Sequence, residues 1–320
     1  MNFLFVFLLF MGTMISVTSS SWVGVWLGLE MNLFGLIPIF GMSKQSQEIE
    51  STIMYFIVQG VGSSMILLGA MSENIFSYMF LSAGMIIKLG AGPFFFWVPK
   101  VMVNLSWVNC IILSTWQKIA PLLIVCFLLK SGMISNIVGV LSAIIGSIGG
   151  VVQESIRGLM AFSSVSHIGW MLTLSYTSFA FMFFYFTVYC LLSFFVFHIM
   201  NLCFLKTKFL FEMGFSKFKL YFFMVVMSLA GMPPFIGFLT KAGAIYLMHA
   251  YMLIILLLLM SALISLYFYL NLSFSICVTE NYSWFNLSHN KGMLWGTNFM
   301  FSNIFLFSIL LFLYAMIIFY

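Results

Sequence analysis

The chain has 320 residues, of which 63% are hydrophobic and only 6% carry charge, and aspartate does not occur. A soluble domain carries roughly 25% charged residues, and no soluble fold has interior enough to hide this much apolar surface, so lipid must be the solvent for most of the chain. The net charge of +5 does not indicate nucleic acid, because the basic residues form no run and do not alternate with aromatics on a polar face.

Apolar stretches of bilayer-spanning length, roughly 17–25 residues, recur eleven times. They fall at about 2–18, 22–42, 52–71, 75–97, 106–129, 133–152, 158–176, 178–204, 220–247, 249–271 and 297–319. The expected fold is therefore an all-α polytopic membrane protein of about eleven transmembrane helices, forming a single domain over 1–320. The first stretch has no basic n-region and no small-residue cleavage site, so it reads as a retained helix rather than a signal peptide. An Arg-rich import leader is not expected either. Most connections are short, the exceptions being 205–219 and 272–296.

Taken in order, the helices hold a few residues that lipid should reject. The second, "WLGLEMNLFGL", carries Glu30 near its middle. The fourth, "IIKLGAGPFFF", carries Lys88 just ahead of a glycine pair and Pro93. The fifth, "STWQKIAPLL", carries Lys118 about ten residues from either end. The seventh, "AFSSVSHIGW", carries His167 among Ser163, Ser164 and Ser166, and the eighth carries His198. The ninth, "LAGMPPFIGFLTK", is broken by Pro233 and Pro234 and carries Lys241. Each charge at a helix centre costs roughly 2.5–3.5 kcal/mol, so four unpaired charges cost on the order of 10 kcal/mol.

Glu30 and Lys118 are too deep to snorkel and must face the bundle interior, each other or water. Lys241 fits either an interior site or an interface. His167 fits either a satisfied core histidine or a proton relay, and His198 fits the same two roles; His249 and His289 read as loop or interface residues. Burial disfavours a lysine's charged form and a nearby carboxylate favours it, so a lysine between these influences exchanges a proton when the neighbouring charge moves. Glu30 and Lys88 form a natural pair of this kind. The breaks free backbone groups that need water or polar partners, and a lysine beside a broken helix suits a hydrated, switchable proton site.

Loops after even-numbered helices hold Lys44, Lys100, Arg157, Lys206, Lys208, Lys217, Lys219 and Lys291, whereas loops after odd-numbered helices hold only Lys130. That bias places the N-terminus on the positive, inner side and the C-terminus outside. The Lys206–Lys219 cluster suits anionic lipid or a partner. Cys110, Cys126, Cys190, Cys203 and Cys277 are scattered through apolar segments and read as small buried hydrophobes, with no metal-ligand spacing. Phosphate-binding, dinucleotide-binding and serine-elbow motifs are missing from the sequence. "LGAGPFFF" and "LAGMPPFIGF", about 140 residues apart, echo one another as the paired broken helices of repeat-built transporters do.

The segments "GLEMNLFGLIPI", "IIKLGAGPFFFWVPKV", "STWQKIAPL", "LMAFSSVSHIGWM" and "SLAGMPPFIGFLTK" closely resemble the mitochondrial NADH dehydrogenase subunit 2 family, antiporter-like chains of respiratory complex I. The resemblance covers helices two to nine in order. It implies antiporter-like repeats with two discontinuous helices: helices one to five, about 1–130, as a shortened first repeat, helices six to ten, about 131–271, as the second, and a last helix at about 297–319. It further implies redox-driven proton translocation in the mitochondrial inner membrane, with the N-terminus in the matrix and the C-terminus in the intermembrane space. Glu30, Lys88, Lys118, His167 and Lys241 would line the hydrated axis. NADH, FMN, iron–sulfur clusters and ubiquinone would be bound by other subunits, leaving no cofactor or metal in this chain. Partners would be the other membrane-arm subunits and membrane lipids, cardiolipin included. Two other functions suit the same residues: a related cation/proton antiporter subunit, and a structural membrane subunit whose buried charges only fix helix register.

Overall fold

The computed structural model describes residues 2–42, 46–72, 76–129, 132–205 and 215–278. Lys44, Lys130, Lys206, Lys208, His289, Lys291 and the expected last span at 297–319 lie outside the described residues, as do the side chains of Cys203, Lys217, Lys219 and Cys277. Backbone N–H and C=O groups in lipid must find partners within the chain, which leaves helices as the available regular structure for an apolar sequence without a closed barrel. In chain order they are α1 Asn2–Thr18, α2 Trp22–Phe40, α3 Ser46–Met71, α4 Phe76–Leu89, α5 Trp97–Asn104, α6 Trp107–Ser114, α7 Trp116–Leu128, α8 Met133–Val151, α9 Ile156–Thr177, α10 Phe179–Leu205, α11 Phe215–Ala230, α12 Ile236–Leu247 and α13 Met252–Val278.

Each of the first ten expected spans is matched by one helix or by a pair of shorter ones. Among the described residues six helical segments are individually long and apolar enough to cross a membrane; the expected count of about eleven is not confirmed, and one of the expected segments lies outside the described residues. Ser21 and Ser155 start α2 and α9 by accepting the amides of Gly24 and Gly158 at 3.2 Å. Two differences from expectation bear on the site. Helix α3 begins at Ser46 rather than near residue 52, so that Glu48 falls in its first turn, where the helix dipole favours acidic groups.

The second difference is a third interruption, in addition to the two expected, between α6 and α7. Thr115 there has φ −112° and ψ −71°, and the Lys118 amide bonds only three residues back, to the Thr115 carbonyl. Pro121 lies inside α7; its ring has no N–H for the Gln117 carbonyl and crowds the preceding turn.

Polarity is arranged inside out. Phe3, Val23, Ile57, Met79 and Leu256 are exposed, whereas Asn32, Gln59, Lys88, Lys118, His167 and Lys241 are buried. Helix α9 is the central post. Every residue from Gly158 to Leu174 is buried, and α5, α7, α8, α10, α12 and α13 pack around it. Helices α8 and α9 approach through small residues, as membrane helices do when no hydrophobic effect draws them together. A Cβ on Gly146 would lie 2.5 Å from the Ser166 backbone nitrogen and 2.8 Å from the Phe162 carbonyl. Backbone atoms cannot swing aside as a flexible side chain does. Gly146→Ala should therefore lower stability by about 1–3 kcal/mol, read as earlier thermal unfolding of the solubilised protein; an unchanged melting curve would contradict the close approach.

Candidate functional site

The two broken helices end in the same way. At the end of α4 the Gly90 amide bonds to the Ile87 carbonyl and the Ala91 amide to the Ile86 carbonyl. At the end of α11 the Gly231 amide bonds to the Ser228 carbonyl and the Met232 amide to the Met227 carbonyl. Both are Schellman closures, and their glycines adopt the required positive φ, +68° and +83°. Both chains then turn back through Phe94 to the Ala91 carbonyl and Phe235 to the Met232 carbonyl. The correspondence holds at a constant offset of 141 residues (Gly90 to Gly231, Ala91 to Met232, Phe94 to Phe235).

Carbonyls at these ends also receive side-chain donors. The Trp97 indole donates to the Ile87 carbonyl at 3.1 Å, and the Gln59 amide donates to the Lys88 carbonyl at 3.4 Å. At the other break the Lys241 ammonium donates to the Ala230 carbonyl at 2.8 Å. A cation at a helix C-terminus is favoured by the dipole as well as by the hydrogen bond. The choice left open for Lys241 is thus decided for the interior: the residue is only 8% exposed. Arg157 makes a related contact, donating to the Val103 carbonyl near the end of α5 at 3.0 Å and lying over the Trp107 ring.

Lys88 is buried in the last turn of α4, with its stem against Gly62 of α3. Glu30 is half-buried on α2 and acts through space on both Lys88 and Tyr55, without an ion pair of 4 Å or less to Lys88 among the described residues. Lys118 follows the Thr115 interruption. Its ammonium donates to the Ser164 carbonyl of α9 at 3.4 Å and lies 5.5 Å from the centroid of the Tyr189 ring, a distance at which the ring face attracts a cation.

His167, on α9, shares a 2.8 Å hydrogen bond through Nδ1 with the Tyr185 hydroxyl and packs against the Tyr189 ring. It is within electrostatic range of both Lys118 and Lys241. Ser163, Ser164 and Ser166 donate to the carbonyls of Met160, Ala161 and Ser163, three residues back, the local bond that lets a serine hydroxyl be buried inside a helix. His198 stands apart, edge-on to Phe194, and His249 is exposed.

Sequence reasoning missed a network beside this row. The Tyr55 hydroxyl donates to Gln117 Oε1 at 3.2 Å, and Gln117 Nε2 donates to Asn32 Oδ1 at 2.9 Å, joining α3, α7 and α2. Neutral amides inside apolar runs were the available signal. The site is therefore a line of buried cations with one histidine, held at helix breaks and against α9, with a carboxylate at the Lys88 end. Replacing Gln59 with Leu should leave the Lys88 carbonyl without its donor and cost about 1–3 kcal/mol. The check is thermal unfolding of the solubilised variant, where wild-type behaviour would mean that the carbonyl does not depend on Gln59.

Comparison with known proteins gives consistent matches. The family described as NADH:quinone oxidoreductase/Mrp antiporter, TM, matches residues 19–79 and 70–267. NADH-ubiquinone oxidoreductase chain 2 of Locusta migratoria is 36% identical over 296 residues, covering 87% of this chain and 86% of its own. The chain of the same name from Anopheles gambiae is 40% identical over 294 residues, covering 86% and 85%. Among solved structures, a chain of respiratory complex I from Thermus thermophilus aligns with a TM-score of 0.82 at 20% identity, covering 98% of this chain and 78% of its own. A chain of the Mrp complex from Dietzia sp. DQ12-45-1b aligns with a TM-score of 0.75 at 17% identity, covering 83% and 58%. These two share the fold.

Proposed function

The chain belongs to the NADH-ubiquinone oxidoreductase chain 2 family, and from that membership and the buried lysine row we propose that it moves protons through the membrane arm of such an oxidoreductase. The single observation that carries this reading is the placement of Lys88, Lys118 and Lys241, three lysines buried in a lipid-facing bundle. Burial at this cost is sustained where the charge is used.

The geometry supports a division of labour. Glu30 and Lys88 form the end at which a change in charge is felt first, because the carboxylate reaches the lysine only through space and a moved proton alters that field. Lys118 and Lys241 flank His167 electrostatically, and the imidazole, hydrogen-bonded to Tyr185, is the group suited to pass a proton between them. Among the described residues neither Lys118 nor Lys241 is tied to a carboxylate; each ammonium leans on a backbone carbonyl, a partner that holds the side chain in place whether or not the extra proton is present. The repeated break geometry supports reading about 1–130 and 131–271 as two repeats, the first shortened, within one transmembrane domain.

Family membership supports a proposed setting. The chain is a multi-pass membrane subunit of the oxidoreductase, placed in the mitochondrial inner membrane with its N-terminus in the matrix. Oxidation of NADH and reduction of ubiquinone take place on other subunits, which also hold FMN and the iron–sulfur clusters, and this chain carries no redox centre. Its neighbours are other membrane-arm subunits and anionic lipid such as cardiolipin.

Lys118→Met removes one exchangeable proton while keeping a side chain of similar length. In vesicles containing the assembled complex, NADH-driven proton transport should fall by about ten-fold or more, with the amount of assembled complex maintained. Transport at the wild-type rate would favour a structural subunit whose charges only fix helix register.

A further inference from the structure

The row of lysines accounts for proton sites deep in the membrane but not for how a proton reaches them. Among the described residues the most deeply buried carboxylate is Glu48, 4% exposed in the first turn of α3. On the same helix face, at spacings of four, three and four residues, follow Thr52, Tyr55 and Gln59, all buried. Gln59 touches the Lys88 carbonyl. Tyr55 reaches Gln117, the residue before Lys118, and through it Asn32. From Glu48 to Gln59 the helix rises about 16 Å, half of a hydrocarbon core about 30 Å thick. The polar face thus runs from the end of the bundle that carries Lys100 and Arg157 to the level of Lys88.

The outer end of that face meets an open cleft of about 890 Å³ between α3, α5 and α8. Its polar lining is Glu50, Ser51, Lys100, Asn104 and Gln153. Ser51 belongs to both: it lines the cleft, and its hydroxyl donates to the Glu48 carbonyl at 2.8 Å. The Thr52 hydroxyl donates to the same carbonyl at 2.5 Å. A cleft with room for water, walled largely by apolar side chains such as Phe95, Phe96, Ile145 and Ile148, therefore lies beside the first turns of α3; Glu48 is buried one turn from its polar lining, and from Glu48 a polar stripe leads to two lysines.

We propose that the cleft and the inner face of α3 form the proton-uptake route to Lys88 and Lys118, with Glu48 as its first carrier. This rests on the proton-transporting role proposed above. Glu48 takes a proton from cleft water and releases it inward past the Thr52 and Tyr55 hydroxyls. It returns to the carboxylate form when a lysine is protonated, so one proton enters for each delivered and no electrons move. The amides of Gln59, Gln117 and Asn32 do not carry the proton; they line the path and orient water along it. The rival role for Glu48 is a structural charge, since it and Arg157 both act on the Cys110 thiol.

The test measures NADH-driven proton transport in vesicles containing the assembled complex, for Glu48→Gln, Glu48→Asp and Tyr55→Phe, with Lys118→Met alongside. Glu48→Gln should cut transport about ten-fold, Glu48→Asp should restore most of it, and Tyr55→Phe, which loses only a hydroxyl, should slow it with assembly intact. The route is overturned if Glu48→Gln and Tyr55→Phe transport at the wild-type rate while Lys118→Met does not. It is equally overturned if Gln and Asp at position 48 reduce assembly alike and Tyr55→Phe is silent, the mark of a structural charge. Wild-type transport by Lys118→Met would instead reject the function on which the route depends.

Discussion

A backbone carbonyl in lipid has no water to bond, and the organisation of this protein follows from how its broken helices answer that constraint. Unbroken helices satisfy their own carbonyls along most of their length. The breaks after Leu89 and Ala230 do not, and the chain closes them with side chains reaching in from elsewhere: the Trp97 indole, the Gln59 amide and the Lys241 ammonium. Each donor ties together two segments that sequence alone leaves independent. The breaks, which weaken individual helices, thereby become fixed points of the bundle.

The same contacts place the charges. Lys241 closes the end of α11 because the half-helix there presents an unbonded carbonyl at the negative end of its dipole. Lys88 sits in the corresponding last turn of α4. Lys118 comes directly after the interruption at Thr115 and leans on a carbonyl of the central helix α9. A cation held by a carbonyl is kept in position without being locked to an opposite charge, which is the condition a site must meet if it is to give up a proton and take it back. His167 gains its place from α9 being buried along nearly its whole length, with Tyr185 fixing the orientation of the ring.

Much of this was legible in the sequence. The spans stand out because lipid demands long apolar runs, and Glu30, Lys88, Lys118 and Lys241 stand out because charge inside such a run is costly. Gly90 with Pro93, and Gly231 with Pro233 and Pro234, announced the breaks. What stayed hidden was of two kinds. Neutral polar residues such as Gln59, Asn32 and Gln117 raise little alarm in an apolar stretch, so a network joining three helices left only a faint signal. Glu48 was hidden because it lies near a loop in sequence, and only the packing of the first turn of α3 shows that it is buried.

The central claim is that the buried lysines belong to one hydrated line rather than to separate structural contacts. The most direct measurement is an experimental structure of the intact complex at a resolution that reveals ordered water. The account predicts water molecules linking Lys88, Lys118, His167 and Lys241 in a continuous chain beside α9. Dry, apolar packing between these residues, with each ammonium bonded only to its carbonyl, would contradict it.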